Sequence, residues 1–476
     1  MNVKHTIAIL IASVIGLLTT ACIEDDVSSS ASDQPEFSTD TLRMGSLFTE
    51  EGSQTRVLKV YNRHDKIISI STIAFKEGSS GCFRLNVDGQ SGKQFSGVEI
   101  RPSDSIFVLV DVILPANQQA APVDVKDHLQ FVTNGVTQQV VLTATGQDVE
   151  RLRDYTVEQD ETWSGDMPRQ IFGTLTVAEG ATLTLEAGSH LYFHDKAMLQ
   201  VDGTLRALGT AEAPVMLEGD RRGQVINGVG FEVMSRQWEG VTFGPTSTAN
   251  ALTYTTVRNT RYGVEIADTP AEASYPALRL INCTLRNSAG TVLRAKHSSV
   301  YATGCEFAEA GEGAVVLTGG RHIMNHCTFS NYYLFSAITG PLLRLNHTDD
   351  SNADSENAEL PYAAVTVMNS IFYGSSADVL PGDLSATDVH IARCLIRSTG
   401  SDDLNFTECL WGEDPRFLTR RDDYVFDYRP DAGSPVIGAA DAALDQQWEL
   451  YTVSPRDNYG TERPQPASIG AYEPRP

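Results

Sequence analysis

A chain of 476 residues is too long for one ordinary hydrophobic core, so it must divide into domains or run as a solenoid. Apolar residues at 41% and charged residues at 20% place it among globular rather than disordered proteins. A net charge of −25 argues against nucleic acid and anionic membrane surfaces as main partners, and leaves an acidic polymer only a local basic patch to bind.

Residues 1–22, MNVKHTIAILIASVIGLLTTAC, have Lys4 in a short basic head, an apolar run from Ile7 to Leu18, and small residues before a cysteine. The run is too short and wrongly flanked for a spanning helix and reads as a signal peptide. Thr20-Ala21-Cys22 resembles a bacterial lipobox, in which Cys22 becomes the lipidated first residue, although the usual leucine stands at Leu18 instead of at Thr19. An ordinary secretory cleavage site is the alternative. The IEDD that follows looks like the acidic tether of surface lipoproteins in the Bacteroidetes group, and 23–40 reads as a flexible polar stalk. The resemblance implies a lipid anchor in the outer membrane and exposure at the cell surface. The six remaining cysteines are too scattered for a disulfide framework and lack the Cys-x-x-Cys spacing of zinc sites.

Residues 41–150 hold short alternating strands such as TRVLKVYN, SIFVLVDVIL, HLQFVTNG and QQVVLTATG. Period-2 patterning broken by turns predicts a β-sandwich of immunoglobulin type. The stretch from IRPSDSIFVLVDVILP to QQVVLTATGQD resembles the immunoglobulin-like domains of the abnormal-spindle type, which implies a spacer or interaction module.

From about 155 the rhythm changes. GTLTV (173–177) and GTLRA (203–207) join glycine turns to short apolar strands, and six later segments repeat one template. Cys283, Cys305 and Cys327 follow at steps of 22, with Thr255, Ser370 and Cys394 at the same position of their own segments. Such a period in a β-branched, glycine-rich chain predicts an all-β solenoid, a single-stranded right-handed parallel β-helix over 155–476. Its cysteines form a core ladder, Leu285, Phe307, Phe329 and Phe372 fill the next inward site, and Glu306 points outward, where substitution is expected to be nearly silent. Cys327 to Ser370 spans 43 residues, which predicts an insertion at about 343–367 that leaves the body and returns. A C-terminal cap is expected over about 412–476.

The line from HLYFHDKAMLQVDGTLRALGTAEAPVMLEGDR through WEGVTFGPTSTANALTYTTVRNTRYGVEI to NHCTFSNYY resembles a group of Bacteroidetes surface lipoproteins with right-handed, pectate-lyase-like β-helix bodies. The closing EDPRF, DYRPDAGSPVIGAA and DNYGTERPQPASIGAYE are similar to the end of many secreted bacterial β-helix proteins. The likeness covers about 155–473. It implies fold and location; the fold itself hosts both enzymes and binders.

A lyase needs a cation for a uronate carboxylate and a base for the adjacent proton. Arg294, Lys296 and His297 are candidates, with His322 and His326 one repeat later; Arg294 and Lys296 share one face of a strand, as do His322 and His326. His190 and His194 also share a face and read as structural. Asp350, Asn352, Asp354 and Glu356 alternate as in a calcium loop but lack its glycine and final glutamate, so a solvated tip competes with Ca2+ binding. Tyr332 and Tyr333, with Asp349 and Asp350, are the candidate contacts for a ligand. The reading is a surface protein that binds a glycan or protein ligand rather than cutting it. A polysaccharide lyase and a purely structural envelope protein are the alternatives.

Overall fold

The computed structural model describes residues 26–226, 229–268, 276–346, 364–381, 388–446 and 453–475. The chain forms two compact units, Met1–Gln147 and Asp148–Pro476. The regular structure among the described residues is almost all β.

The first unit is two packed sheets. One orders strands Glu36–Phe37, Arg56–Tyr61, Ser105–Val112, Phe83–Val87 and Gln90–Gly92. The other is built around a long hairpin, Val123–Thr133 against Val136–Gln147. Asn134 and Gly135 turn that hairpin with φ of 49° and 77°, the left-handed pair that a two-residue turn requires. Alternate residues point inward, so Leu58, Val60, Val108, Val110, Phe131 and Leu142 are fully buried between the sheets.

The second unit visits three parallel sheets in rotation. Among the described residues they hold eleven, nine and ten strands, and most strands pair with the one three places later in the chain. One circuit runs Thr284–Ser288, Leu293–Lys296, Ser299–Thr303 and returns at Glu306–Ala310 beside its start. Thr284, Glu306 and Thr328 stack in register, which accounts for the step of 22 in the sequence.

The cysteines stand where the chain turns into the eleven-stranded sheet. The residue before each is left-handed, from φ 42° at Tyr254 through Asn282, Gly304, His326, Asn369, Arg393 and Glu408. Thr255, Cys283, Cys305, Cys327, Ser370 and Cys394 are then buried in one column, and Cys409 extends it. Among the described residues every cysteine is free. Beside this column Phe307, Phe329 and Phe372 stack at 5.3 and 4.5 Å.

The long spacing after Cys327 is shared between two connections. Strands Leu343–Asn346 and Ala364–Met368 both pair within the body, in the nine- and ten-stranded sheets. The bounds of about 343–367 therefore overlap two regular strands, and residues 347–363 lie outside the described residues. The C-terminal residues lie along the outer corner of the eleven-stranded sheet. Arg393 Nε donates to Ala439 O at 2.7 Å, Asp441 N to Asn369 Oδ1 at 2.8 Å, and Asn282 Nδ2 to Arg456 O at 3.0 Å.

Candidate functional site

The residues that the lyase reading grouped are not brought together. Arg294 lies on the outer face of the nine-stranded sheet, in ion pairs with Glu265 at 3.3 Å and Glu312 at 3.7 Å. Lys296 shares that face, half-buried. His297 turns the next corner with φ 44°, and its Nδ1 is 2.9 Å from Asp268.

His322 and His326 do not share an outward face, which corrects the sequence reading. His322 stands between Val300 and Val365 in an inward column. Its Nε2 is 2.8 Å from Gly319 O, Nδ1 is buried without a recorded partner, and burial pulls the imidazole down to about 4. His326 is a corner residue buried under the C-terminal segment, with Nδ1 3.1 Å from Ser468 O and Nε2 against Asp445. Burial lowers its pKa too, ahead of the repulsion from Arg463.

Tyr332 and Tyr333 are not a surface platform either. Tyr333 is buried, its hydroxyl 2.5 Å from Ser235 Oγ. Tyr332 is half-buried beside Tyr428, and burial pushes its phenol up to about 12. Cys22, Asp349, Asp350, Asn352, Asp354 and Glu356 lie outside the described residues. Among the described residues no three His, Cys, Asp or Glu side chains are grouped to hold a metal.

Arg294 nevertheless borders a cleft of about 300 Å³. It is lined by Arg236, Arg261, Tyr262, Ala289, Gly290 and Glu312, from turns between the eleven- and nine-stranded sheets. Tyr262 is 51% exposed. Gly263 follows it with φ 80°, and a Cβ there would stand 2.2 Å from Thr291 O, so only glycine fits this tight turn. At Gly290 a Cβ would stand 3.1 Å from Arg261 O, which keeps the cleft floor low. Arg261 pairs with Glu239 at 3.5 Å. Burial raises Glu265 above the ordinary carboxylate range despite the pull of Arg294. The site thus offers an exposed ring, guanidinium donors and carboxylate acceptors side by side. Its sequence signal is an aromatic followed by glycine in a turn, in TRYGVEI.

A wider groove of about 760 Å³ on the first unit is crossed by an ion pair already closed on itself, Arg84 to Asp111.

No family model and no curated protein matches the chain. Three solved structures show remote likeness. The ASH / PapD-like domain of human CEP192 (PapD-like domain 7) is 10% identical over 25% of this chain and 87% of its own, with a TM-score of 0.18. A protein of unknown function from Porphyromonas gingivalis is 11% identical over 27% of this chain and 58% of its own, also at 0.18. The catalytic domain of a GH87 α-1,3-glucanase, in complex with nigerose, is 8% identical over 76% of this chain and 88% of its own, at 0.18. Likeness at this level assigns no function.

Proposed function

We propose that this protein is a lipid-anchored outer-membrane protein, exposed at the cell surface, that binds a glycan on a right-handed parallel β-helix. The observation that carries the binding reading is the cleft at Tyr262. A sugar ring presents a flat C–H face and a rim of hydroxyls. The exposed tyrosine ring suits the first; Arg236, Arg261 and Glu312 suit the second, as charged donors and acceptor. The rotation of strands through three parallel sheets supports the helix, and parallel crossovers are right-handed in nearly all proteins. In this reading the two-sheet unit at 41–150 is an immunoglobulin-like spacer. Anchoring rests on the lipobox resemblance at Cys22: Cys22→Ala should release the protein from the membrane fraction, and unchanged fractionation would remove the anchor.

The binding reading is tested on a glycan array. Tyr262→Ala should weaken retention on the glycans that hold the parent protein by roughly tenfold, about 1.4 kcal/mol, with the thermal midpoint unchanged. Undiminished retention on all of them would take the cleft out of the site.

A further inference from the structure

The body ends on a thin last circuit. Its strands Phe406–Thr407 and Leu410–Trp411 have two residues each, and each is the last of its sheet among the described residues. Phe406, Cys409 and Trp411 are only partly buried against the core, whereas Ile391, Cys394 and Ile396 of the circuit before are buried. The chain after Trp411 turns back along the outer corner, where Asn458 Nδ2 donates to Cys283 O at 3.3 Å and Ser468 O lies 3.1 Å from His326 Nδ1. A terminal repeat has a neighbour on one side only, so the end of a solenoid needs a cap. Asp402 supplies part of one: its carboxylate accepts from Glu408 N at 2.6 Å, Cys409 N at 3.2 Å and the Trp411 indole at 3.0 Å. Asp402 is exposed, so water competes for each of these bonds.

Two thiols meet at this end. Leu395 pairs with Leu410, so the residues before them, Cys394 and Cys409, lie side by side at the strand spacing of about 4.8 Å. Leu410 N donates to Cys394 O at 2.8 Å, which fixes that register. A disulfide needs α-carbons about 4.4–6.8 Å apart and β-carbons about 3.5–4.5 Å apart. The register meets the first condition, and the second needs the side chains to lean together. Cys409 has room to lean, because its strand is the last of the sheet. Leaning gives up only weak thiol bonds, from Cys394 Sγ to Ala392 O at 3.4 Å and from Cys409 Sγ to Thr407 O at 3.5 Å.

The inner cysteines differ. Cys283, Cys305 and Cys327 are fully buried, each between two circuits. Ser370, whose hydroxyl accepts from Cys327 N at 3.0 Å, stands between Cys327 and Cys394. The column is therefore a sealed triplet and an open pair. Burial raises both thiols of the pair, that of Cys394 well above the ordinary range. The half-buried Cys409 is thus the sulfur that an oxidant reaches first.

We propose that Cys394 and Cys409 are a disulfide site, oxidised by a disulfide-bearing partner, that staples the last circuit to the one before it. The Cys409 thiolate attacks one sulfur of the partner's disulfide and expels the other as a thiol. Cys394, giving its proton to solvent, then attacks the Cys409 sulfur and expels the partner's second sulfur, which takes up a proton. Two protein thiols lose two electrons and two protons, and the partner gains both. The bond closes a short stretch of chain and holds the terminal strands in register when they would otherwise fray. In cells the step rests on the proposed export, since exported proteins meet disulfide oxidants and cytosolic ones are kept reduced.

The full-length protein is purified reduced and incubated, folded, with oxidised glutathione. Free thiols are alkylated on unfolding, and the digest is read by mass spectrometry. One cross-link should appear, between Cys394 and Cys409, and amide exchange at residues 405–411 should slow at least about tenfold. Cys394→Ser should abolish the cross-link and leave Cys409 in a mixed disulfide with glutathione, which marks it as the attacking sulfur. Cys82→Ser, on the first unit, should leave the cross-link unchanged. Alkylated thiols at both positions, a cross-link within the triplet instead, or a pair that forms only in urea would each overturn the proposal. A cross-link made by glutathione but missing from protein alkylated at cell lysis would overturn export alone and leave the pairing in place.

Discussion

Two buried regions of the second unit obey different chemistry. Inside the circuits, columns of apolar residues repeat at the strand spacing of about 4.8 Å, so like shapes stack on like. Phe307, Phe329 and Phe372 are one such column, and the cysteines another. Outside the eleven-stranded sheet, beneath the C-terminal segment, charged residues are buried beside apolar ones such as Ile371, Leu395, Val436 and Ile469. Glu306 is 1% exposed, pairs with Arg286 and accepts from the Tyr472 hydroxyl. Glu309 accepts from Tyr428, and Arg463 pairs with Glu473 at 3.2 Å. Strand alternation directed Glu306 and Arg286 outward, as a solvated face would be; a distant segment then covered them. Burial by alternation selects apolar residues, whereas burial by later cover demands that every charge be paired.

The largest effects should come from breaking one member of each region. Phe307→Ala should cost roughly 3–5 kcal/mol in denaturant unfolding, the loss of a packed ring. Glu306→Ala should cost about as much, because it strands Arg286 beneath the C-terminal segment. This corrects the expectation that Glu306 would be silent, and a silent Glu306→Ala would erase the distinction between the two regions.

Acidity should separate the regions next, with opposite signs. Burial lifts Glu309 to about 7 from an ordinary 4.5, ahead of the opposing bond from Tyr428. Arg286, Glu306, Tyr332 and Tyr428 face it. Its contribution is full below pH 4.5 and lost as pH rises through 7, so Glu309→Gln should flatten that decline. His322 is lowered to about 4 from 6.5, so its contribution is full above pH 6.5 and lost as pH falls through 4. His322→Val, which matches Val300 and Val365 in its column, should remove the acid-side loss. Urea midpoints measured across pH 4–8 check both slopes. If each substitution left its slope unchanged, other groups would govern them.

The smallest effect should be Cys305→Ser, roughly 1 kcal/mol. Ser370 already fills the same site of another circuit, where its hydroxyl donates to Met368 O at 2.6 Å. A cost like that of Phe307→Ala would mean that the column discriminates sulfur from oxygen far more strongly than its own serine implies.

Much of the interior was legible from counting. The step of 22 that aligned the cysteines also places His322 on Val300 and Leu278, so its inward position could have been read. His326 stands before Cys327 as Asn282 stands before Cys283, which marks it as a corner residue and not a strand partner of His322. Cys394 and Cys409 stand 15 residues apart, off the step of 22, so their apposition needed the strand register.

What the sequence determined by itself was local and periodic: the length of a circuit, the inward columns, the left-handed corners and the Asn134-Gly135 hairpin. Each follows from side-chain alternation or a backbone preference within a few residues. Only the tertiary structure decided which outward side chains lose water. Tyr333 meets Ser235 across 98 residues and Tyr472 meets Glu306 across 166, and no period links them. The covering segment carries little regular structure, so its path is set by its partners on the body rather than by any repeat of its own.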